Sequence, residues 1–370
     1  MSGQKIKQTG GTAAELMRTK LLSYLREYQG KQLRLMEVCG THTAQIAKNG
    51  IPSLLSDRIR LITGPGCPVC VTVTEYLDRL VELSMEPDVT VVSFGDLFRV
   101  PGSEKCLSQA RAEGGSTAMV YSPMEVLDMA KKQENRMFVF AAVGFETTAP
   151  VYAMLLKKAK EEQVENIRLL TSVKTMPPVI EWLLKTQKGR IDGFLAPGHV
   201  CAVTGTREYE RLAETYGVPF VVSGFEGMEL LSAIAGLVRL AGKGVLKNFY
   251  PRVVRREGNE TAMEAVREVF AACSAAWRGI GVIPDSGLCL TGEFQKYDAG
   301  SRRLLSDHVK NKACACAKVL TGELDPVDCP LFGTGCTPKN PQGACMVSME
   351  GSCFHRYLQQ PIDRNGRNGR

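Results

Sequence analysis

No stretch of this sequence is long and apolar enough to cross a bilayer. The longest uncharged apolar run, MFVFAAVGF at 137–145, falls well short of the ~20 residues a spanning helix needs. The first thirty residues carry charges and no apolar core. That is not the pattern of a secretory leader, and it leaves a cytoplasmic protein without a membrane partner as the expectation. Histidine is scarce, four in 370 residues, so a histidine-built metal site is poorly supplied. No basic stripe interleaved with aromatics occurs. The formal charge of +7 is partly spent at the ends, on Lys5, Lys7, Arg364, Arg367 and Arg370, so no nucleic-acid partner is expected. Repeats of solenoid period and long low-complexity tracts are also missing.

What the chain has in quantity is cysteine: thirteen in all, six of them between Cys314 and Cys353. In a reducing compartment, cysteines this numerous point to ligands or redox groups rather than staples. Apolar residues make up 44% of the chain, enough for a substantial core, and the length suits two or three domains.

Short β-rich runs alternate with amphipathic helical stretches. The strand candidates are LRLMEVC, RIRLITG, VTVVSFG, TAMVYS, RMFVFAAVGF, IRLLTSVK, GFLAPG and VPFVVSGF. Almost continuously apolar strands between helices predict parallel sheets covered on both faces. The fold class expected is α/β, with two Rossmann-like parallel-sheet domains and a small cysteine-rich domain. The polar connector DMAKKQENR places the break near 125–135. The expected division is 1–130, 131–285, 286–358 and a mobile tail at 359–370. GMELLSAIAGLVRLAGKG and ETAMEAVREVFAACSAAWRGIG both read as helical.

In open α/β sheets the chemistry sits at the carboxyl ends of strands. Cys39, Cys67, Glu146 and His199 all fall there. Cys39 precedes a helical stretch, and the helix N-terminus is expected to lower its pKa. His42, three residues on, can serve as a ligand, a base or a polar turn residue. Cys67-Pro-Val-Cys70 has C-x-x-C spacing and suits a redox dithiol or a metal ligand. As half of a structural zinc site it lacks a second C-x-x-C. At the C-terminus, Cys314, Cys329, Cys336 and Cys353 give C-x14-C-x6-C-x16-C, with Cys316 and Cys345 left over. Four thiolates suit zinc or a [4Fe–4S] cluster, and the two extra thiols favour redox. Glu226, in VSGFEG, is a further polar strand-end position. Cys106, Cys201, Cys273 and Cys289 read as small apolar residues in or near cores.

These motifs together resemble the HypD family of hydrogenase maturation proteins. EVCGTHT, GPGCPVCVT, GFETTAP, PGHV, YPRVVRREGN, WRGIG, CPLFGTGCTP and CMVSMEGSC carry the resemblance, in order, over roughly residues 33–357. The resemblance implies a scaffold that assembles the Fe(CN)2CO unit of [NiFe]-hydrogenase. It works with the chaperone HypC and receives cyanide from HypE, supplied in turn by HypF. By that resemblance Cys39 binds the transient iron, shared with a HypC cysteine, with His42 beside it. Cys67 and Cys70 are the redox pair. Cys314, Cys329, Cys336 and Cys353 hold a [4Fe–4S] cluster, and Cys316 with Cys345 forms a nearby dithiol. Glu146 and His199 position or protonate intermediates. The protein is expected to be a monomer that pairs with HypC. Four positions depart from the family pattern: Cys201 where serine is usual, Ala317 where glycine follows the C-x-C, and Gly227 with Glu229 where proline and a later aspartate are usual. Two other classes use overlapping residues. One is a free-standing Fe–S dithiol oxidoreductase, and the other a zinc-stabilised binding module.

Overall fold

The computed structural model describes residues 13–308 and 311–359. Among these, eleven strands follow in chain order: β1 (Leu33–Glu37), β2 (Ile59–Thr63), β3 (Val89–Ser93), β4 (Thr117–Met119), β5 (Met137–Gly144), β6 (Ile167–Lys174), β7 (Gly193–Pro197), β8 (Phe220–Ser223), β9 (Leu246–Asn248), β10 (Phe270–Trp277) and β11 (Gly281–Leu290). All eight segments read from the sequence contain a strand. They form two sheets, ordered β2-β1-β7-β8-β9 and β10-β11-β6-β5-β3-β4. The first is parallel throughout. The second is parallel except where β11 joins β6 and β10 joins β11.

The central strands are continuously apolar because helices cover both faces. β5 is buried along nearly its whole length, and β7 throughout. The covering helices begin where the sequence permits. Pro150 opens Ala149–Glu161 and Pro177 opens Met176–Thr186, at positions where a missing N–H costs nothing. Gly217, at φ 65°, ends Arg207–Tyr216 in the left-handed conformation that only glycine adopts freely. No helix among the described residues is long and apolar enough to cross a membrane.

Four expectations need correction. The break near 125–135 does not part the sheets, since β3 and β4 before it and β5 and β6 after it share one sheet. The first sheet instead takes β1 and β2 from one end of the chain and β7 to β9 from its middle. The chain therefore crosses between sheets three times. The boundary at 286 falls inside β11. The second long helical reading stops at Val269, and FAACSAAW continues as β10, paired antiparallel with β11. Alanine favours helix, but the open edge of β11 and a Cys273–Cys289 disulfide hold the segment extended. Those two cysteines are therefore cross-linked, not simple apolar fillers.

After β11 the described residues form only short helices and turns. Ser352–Leu358, the last helix, packs on Gly40–Lys48, so the cysteine-rich segment lies against the first sheet's cysteine turn. Of the expected tail, residues 360–370 lie outside the described residues.

Candidate functional site

Among the parallel strands of each sheet the order reverses once. The reversal lies between β1 and β7 in the first sheet and between β3 and β5 in the second. Loops diverge at such points and leave a crevice at the carboxyl ends. Here the two crevices face one another and enclose a single cavity of about 520 Å3. Its walls come from the ends of β1 (Cys39, Thr41), β2 (Gly66, Pro68), β3 (Asp96), β5 (Thr147, Thr148) and β7 (His199), with Ser348 and Glu350 from the cysteine-rich segment.

Cys39 is 8% exposed and opens the helix Gly40–Lys48. Its expected activation is not found. Burial pushes the thiol up to about 12, and the nearby Glu37 and Glu350 carboxyls add to this. The amides of His42 and Thr41 pull the other way and lose, because the helix-end effect is smaller than full desolvation. A neutral thiol is thus the resting form, and a cation bound beside it would favour the thiolate.

The two cysteine turns touch. Gly40 N–H donates to the Gly66 carbonyl at 2.9 Å, and Gly64 N–H to the Glu37 carbonyl at 2.7 Å. A Cβ on Gly66 would land on the Cys39 backbone, so the glycine is what lets the turns meet. Cys67 and Cys70 are joined as a disulfide, buried behind Pro68 and Val69. Ser348 Oγ lies 3.4 Å from Cys67 Sγ, which brings the cysteine-rich segment against this turn.

His42 is fully buried in the first turn of the helix that Cys39 opens. Its Nε2 lies 3.0 Å from the Gly224 carbonyl, which only accepts, so Nε2 carries the proton. Nδ1 is then a bare, buried lone pair without a partner. Burial lowers the imidazole to about 4, so it is neutral near neutral pH. Phe225 separates it from His199, with ring centroids 4.7 Å and 3.8 Å away. His199 itself is exposed to the cavity.

Glu146 sits at the expected strand end but turns away from the cavity. Its Oε1 accepts Met176 N–H at 2.7 Å, at the start of Met176–Thr186, and Oε2 is buried without a partner. Burial pushes this carboxyl up to about 7. Between pH 4.5 and 7 the folded state keeps a proton that the unfolded state has lost. Stability therefore falls as pH rises, and the cost is complete above 7. Glu146→Gln is expected to stabilise at pH 8 by up to about 3 kcal/mol, with the gain fading toward pH 4.5. Urea midpoints at the two pH values check this. Glu226 is also structural, capping Gly227–Leu240 together with Glu229.

The C-terminal thiols gather in one place. Cys336, Cys345 and Cys353 belong to the same buried cluster as Cys67 and Cys70, with Cys316 packed against it. Cys314 Sγ is 3.2 Å from Cys316 Sγ, and Cys345 contacts both Cys316 and Cys353. Cys329 is close enough to Cys336 for its charge to be felt there. Cys314 is pushed up first by Cys316 and then by burial, and Cys336 first by burial. A Cβ at Gly343 would stand 2.5 Å from Cys316 Sγ and 3.0 Å from Cys314 Sγ, so the glycine leaves room for sulfur. Soft donors crowded in this way suit a thiolate-bound cation. Among the described residues the thiols lie against one another, and no three donors stand at metal-binding spacing.

A family model, HypD, described as the hydrogenase formation hypA family, matches residues 15–360. The chain belongs to the HypD family. The HypD hydrogenase maturation factor of Escherichia coli K12 is 41% identical over 350 residues, covering 93% of each chain. That of Cupriavidus necator is 41% identical over 343 residues, covering 89% of this chain and 90% of its own. The hydrogenase expression/formation protein HupD of Azotobacter chroococcum is 41% identical over 338 residues, covering 88% and 89%.

Within this HypD-family site, sequence reasoning missed Asp96, Glu350, Thr41, Phe225 and Ser348. Asp96 follows β3 and meets the same strand-end criterion that selected Cys39, so it was findable. Glu350 accepts a hydrogen bond from Thr41 Oγ1 at 3.2 Å and feels the charge of Asp96. It arrives from an irregular segment, and no local pattern marks it.

Proposed function

We propose that this chain is a hydrogenase maturation factor, a scaffold on which the Fe(CN)2CO unit of [NiFe]-hydrogenase is assembled. The observation that carries the reading is the contact between the Cys39 turn and the Cys67–Cys70 turn at one cavity. The iron is cargo: Cys39 supplies one soft thiolate to it, and a cysteine of the partner HypC supplies another. His42, neutral with a bare Nδ1, backs that position. The cavity's 520 Å3 is ample for a small diatomic-bearing iron group.

Cyanide reaches the site from a thiocyanate-type donor on HypE, itself charged by HypF. Its release is reductive. An open Cys67/Cys70 dithiol gives two electrons, the S–CN bond breaks, and the donor leaves as a thiol. One proton and cyanide are freed, and the Cys67–Cys70 bond closes. His199, open to the cavity, is placed to take that proton. On this reading a closed Cys67–Cys70 turn is the spent state.

Cys314, Cys329, Cys336 and Cys353 are the residues to hold a [4Fe–4S] cluster, which would supply single electrons. Cys316 and Cys345, in contact with each other, are the dithiol between that corner and the Cys67 turn. The working unit is one copy of this chain with one HypC.

A host lacking its own factor tests the reading. Wild type is expected to restore hydrogenase activity. Cys39→Ala and Cys67→Ser are each expected to lower it by at least a hundredfold while the proteins accumulate normally. Full activity from either variant would assign the chemistry elsewhere.

A further inference from the structure

β10 is the edge strand of the second sheet, and the Cys273–Cys289 disulfide ties it to β11. In register, Cys273 pairs with Gly287 on β11, and Gly287 pairs with Lys174 on β6. Residues paired directly across strands put their side chains on one face, and Cys289, two residues from Gly287, shares it. Gly287 has no side chain, so the row runs cysteine, gap, lysine. A small cavity of about 40 Å3 lies at this spot, lined among others by Lys174, Cys273, Gly287, Cys289 and Arg302.

Lys174 is 3% exposed. Of its three N–H groups one donates to Ser172 Oγ at 2.7 Å, and the Trp277 ring lies 5.8 Å from Nζ. No carboxylate pairs with it among the described residues. Burial holds the amine down to about 7. A buried cation without an anion is costly unless an anion forms there at some stage.

We propose that Cys273–Cys289 is a redox-active site, opened by an external dithiol, with Lys174 as the resident counter-ion of the thiolate released. The reductant's thiolate attacks Cys273 Sγ, the more accessible sulfur, since Cys273 is half-buried and Cys289 only 7% exposed. The Cys273–Cys289 bond breaks, and Cys289 leaves as a thiolate facing Lys174. The reductant's second thiol then attacks the mixed disulfide, frees Cys273 and closes its own disulfide. Two electrons and two protons pass to the chain, and nothing else is consumed.

The site bears on the cavity through the backbone. Just beyond β10, Arg278 N–H donates to the Val71 carbonyl at 2.9 Å, immediately after Cys70. Trp277 packs in the same core cluster as Cys67 and Cys70. Opening the disulfide loosens the strand that steadies the C-x-x-C turn.

The test equilibrates the full chain, without oxygen, in mixtures of reduced and oxidised dithiothreitol. Alkylation and mass spectrometry then count the thiols at Cys273 and Cys289, separately from those at Cys67 and Cys70. Wild type is expected to pass between both states in this range. Lys174→Met is expected to lower the equilibrium constant for reduction at least tenfold, a potential ~30 mV more negative, and Lys174→Arg to stay near wild type. Lys174→Gln, which keeps a hydrogen-bonding group without the charge, serves should the methionine variant not fold. A pair that never reduces in wild type, or an equilibrium indifferent to the charge at 174, overturns the proposal.

Discussion

Gly66→Ala is expected to abolish iron loading and to cost about 3 kcal/mol or more in stability, the upper range of overpacking effects. The added methyl has nowhere to go. It meets the Cys39 amide nitrogen and the Val38 carbonyl carbon, which are backbone atoms of the neighbouring turn and cannot rotate aside. To relieve the clash, the Gly40-to-Gly66 hydrogen bond must break and the two cysteine turns must part. Gly95→Ala is the control. It lines the same cavity, but its Cβ meets only Met119 Sδ at 3.0 Å, the movable part of an exposed side chain. Urea midpoints and iron content are expected to change for the first variant and hardly at all for the second. Equal behaviour of the two would show that contact between the turns does not matter.

Removing the thiolate-bound group proposed for the C-terminal corner is expected to loosen residues 311–359 and leave the two sheets standing. That corner has no strand of its own and is built of short helices and turns around sulfur. A small region of this kind, if it holds the proposed cluster, would depend on it for order. In Cys336→Ser, amide exchange across 311–359 is expected to speed on the order of a hundredfold, ~3 kcal/mol of local stability. Exchange in β5 and β6 is expected to hold, because one face of those strands is buried in a core that takes no residue from 311–359, and only Ala344 and Val347 of the corner join the core on the other face. Anaerobic iron and sulfide analysis on the same sample reports whether the group itself is lost. Unchanged protection with full metal loss would mean that the corner is held by packing alone.

Local pattern carried the reading of the strands well. Runs such as MFVFAAVG and FVVS are short, apolar on both faces and rich in valine and phenylalanine, which favours a buried strand over a helix. β10 was misread because FAACSAAW has the composition of a helix, and only pairing to β11 makes it extended. The interleaving of the sheets was invisible for a related reason. Periodicity says that a segment is a strand but not which neighbour it finds, and β1 finds β7, more than 150 residues away. At the site, strand-end position is enough to bring Cys39 and His199 to the cavity wall. It could not tell that the Glu146 carboxyl turns back onto Met176 N–H, because side-chain direction after a strand depends on the next helix. The thiol of Cys39 was misjudged by weighing the helix terminus without the burial. Glu350 and Ser348 reach the cavity only through the tertiary fold.

The central claim is that Cys39 holds the iron cargo at the cavity between the two sheets. The direct measurement is an infrared spectrum of the protein purified with HypC in the absence of oxygen, for wild type and Cys39→Ala. Cyanide and carbonyl stretches present in wild type and absent in Cys39→Ala are the predicted result. Bands of equal strength in both would place the iron on other residues and contradict the account.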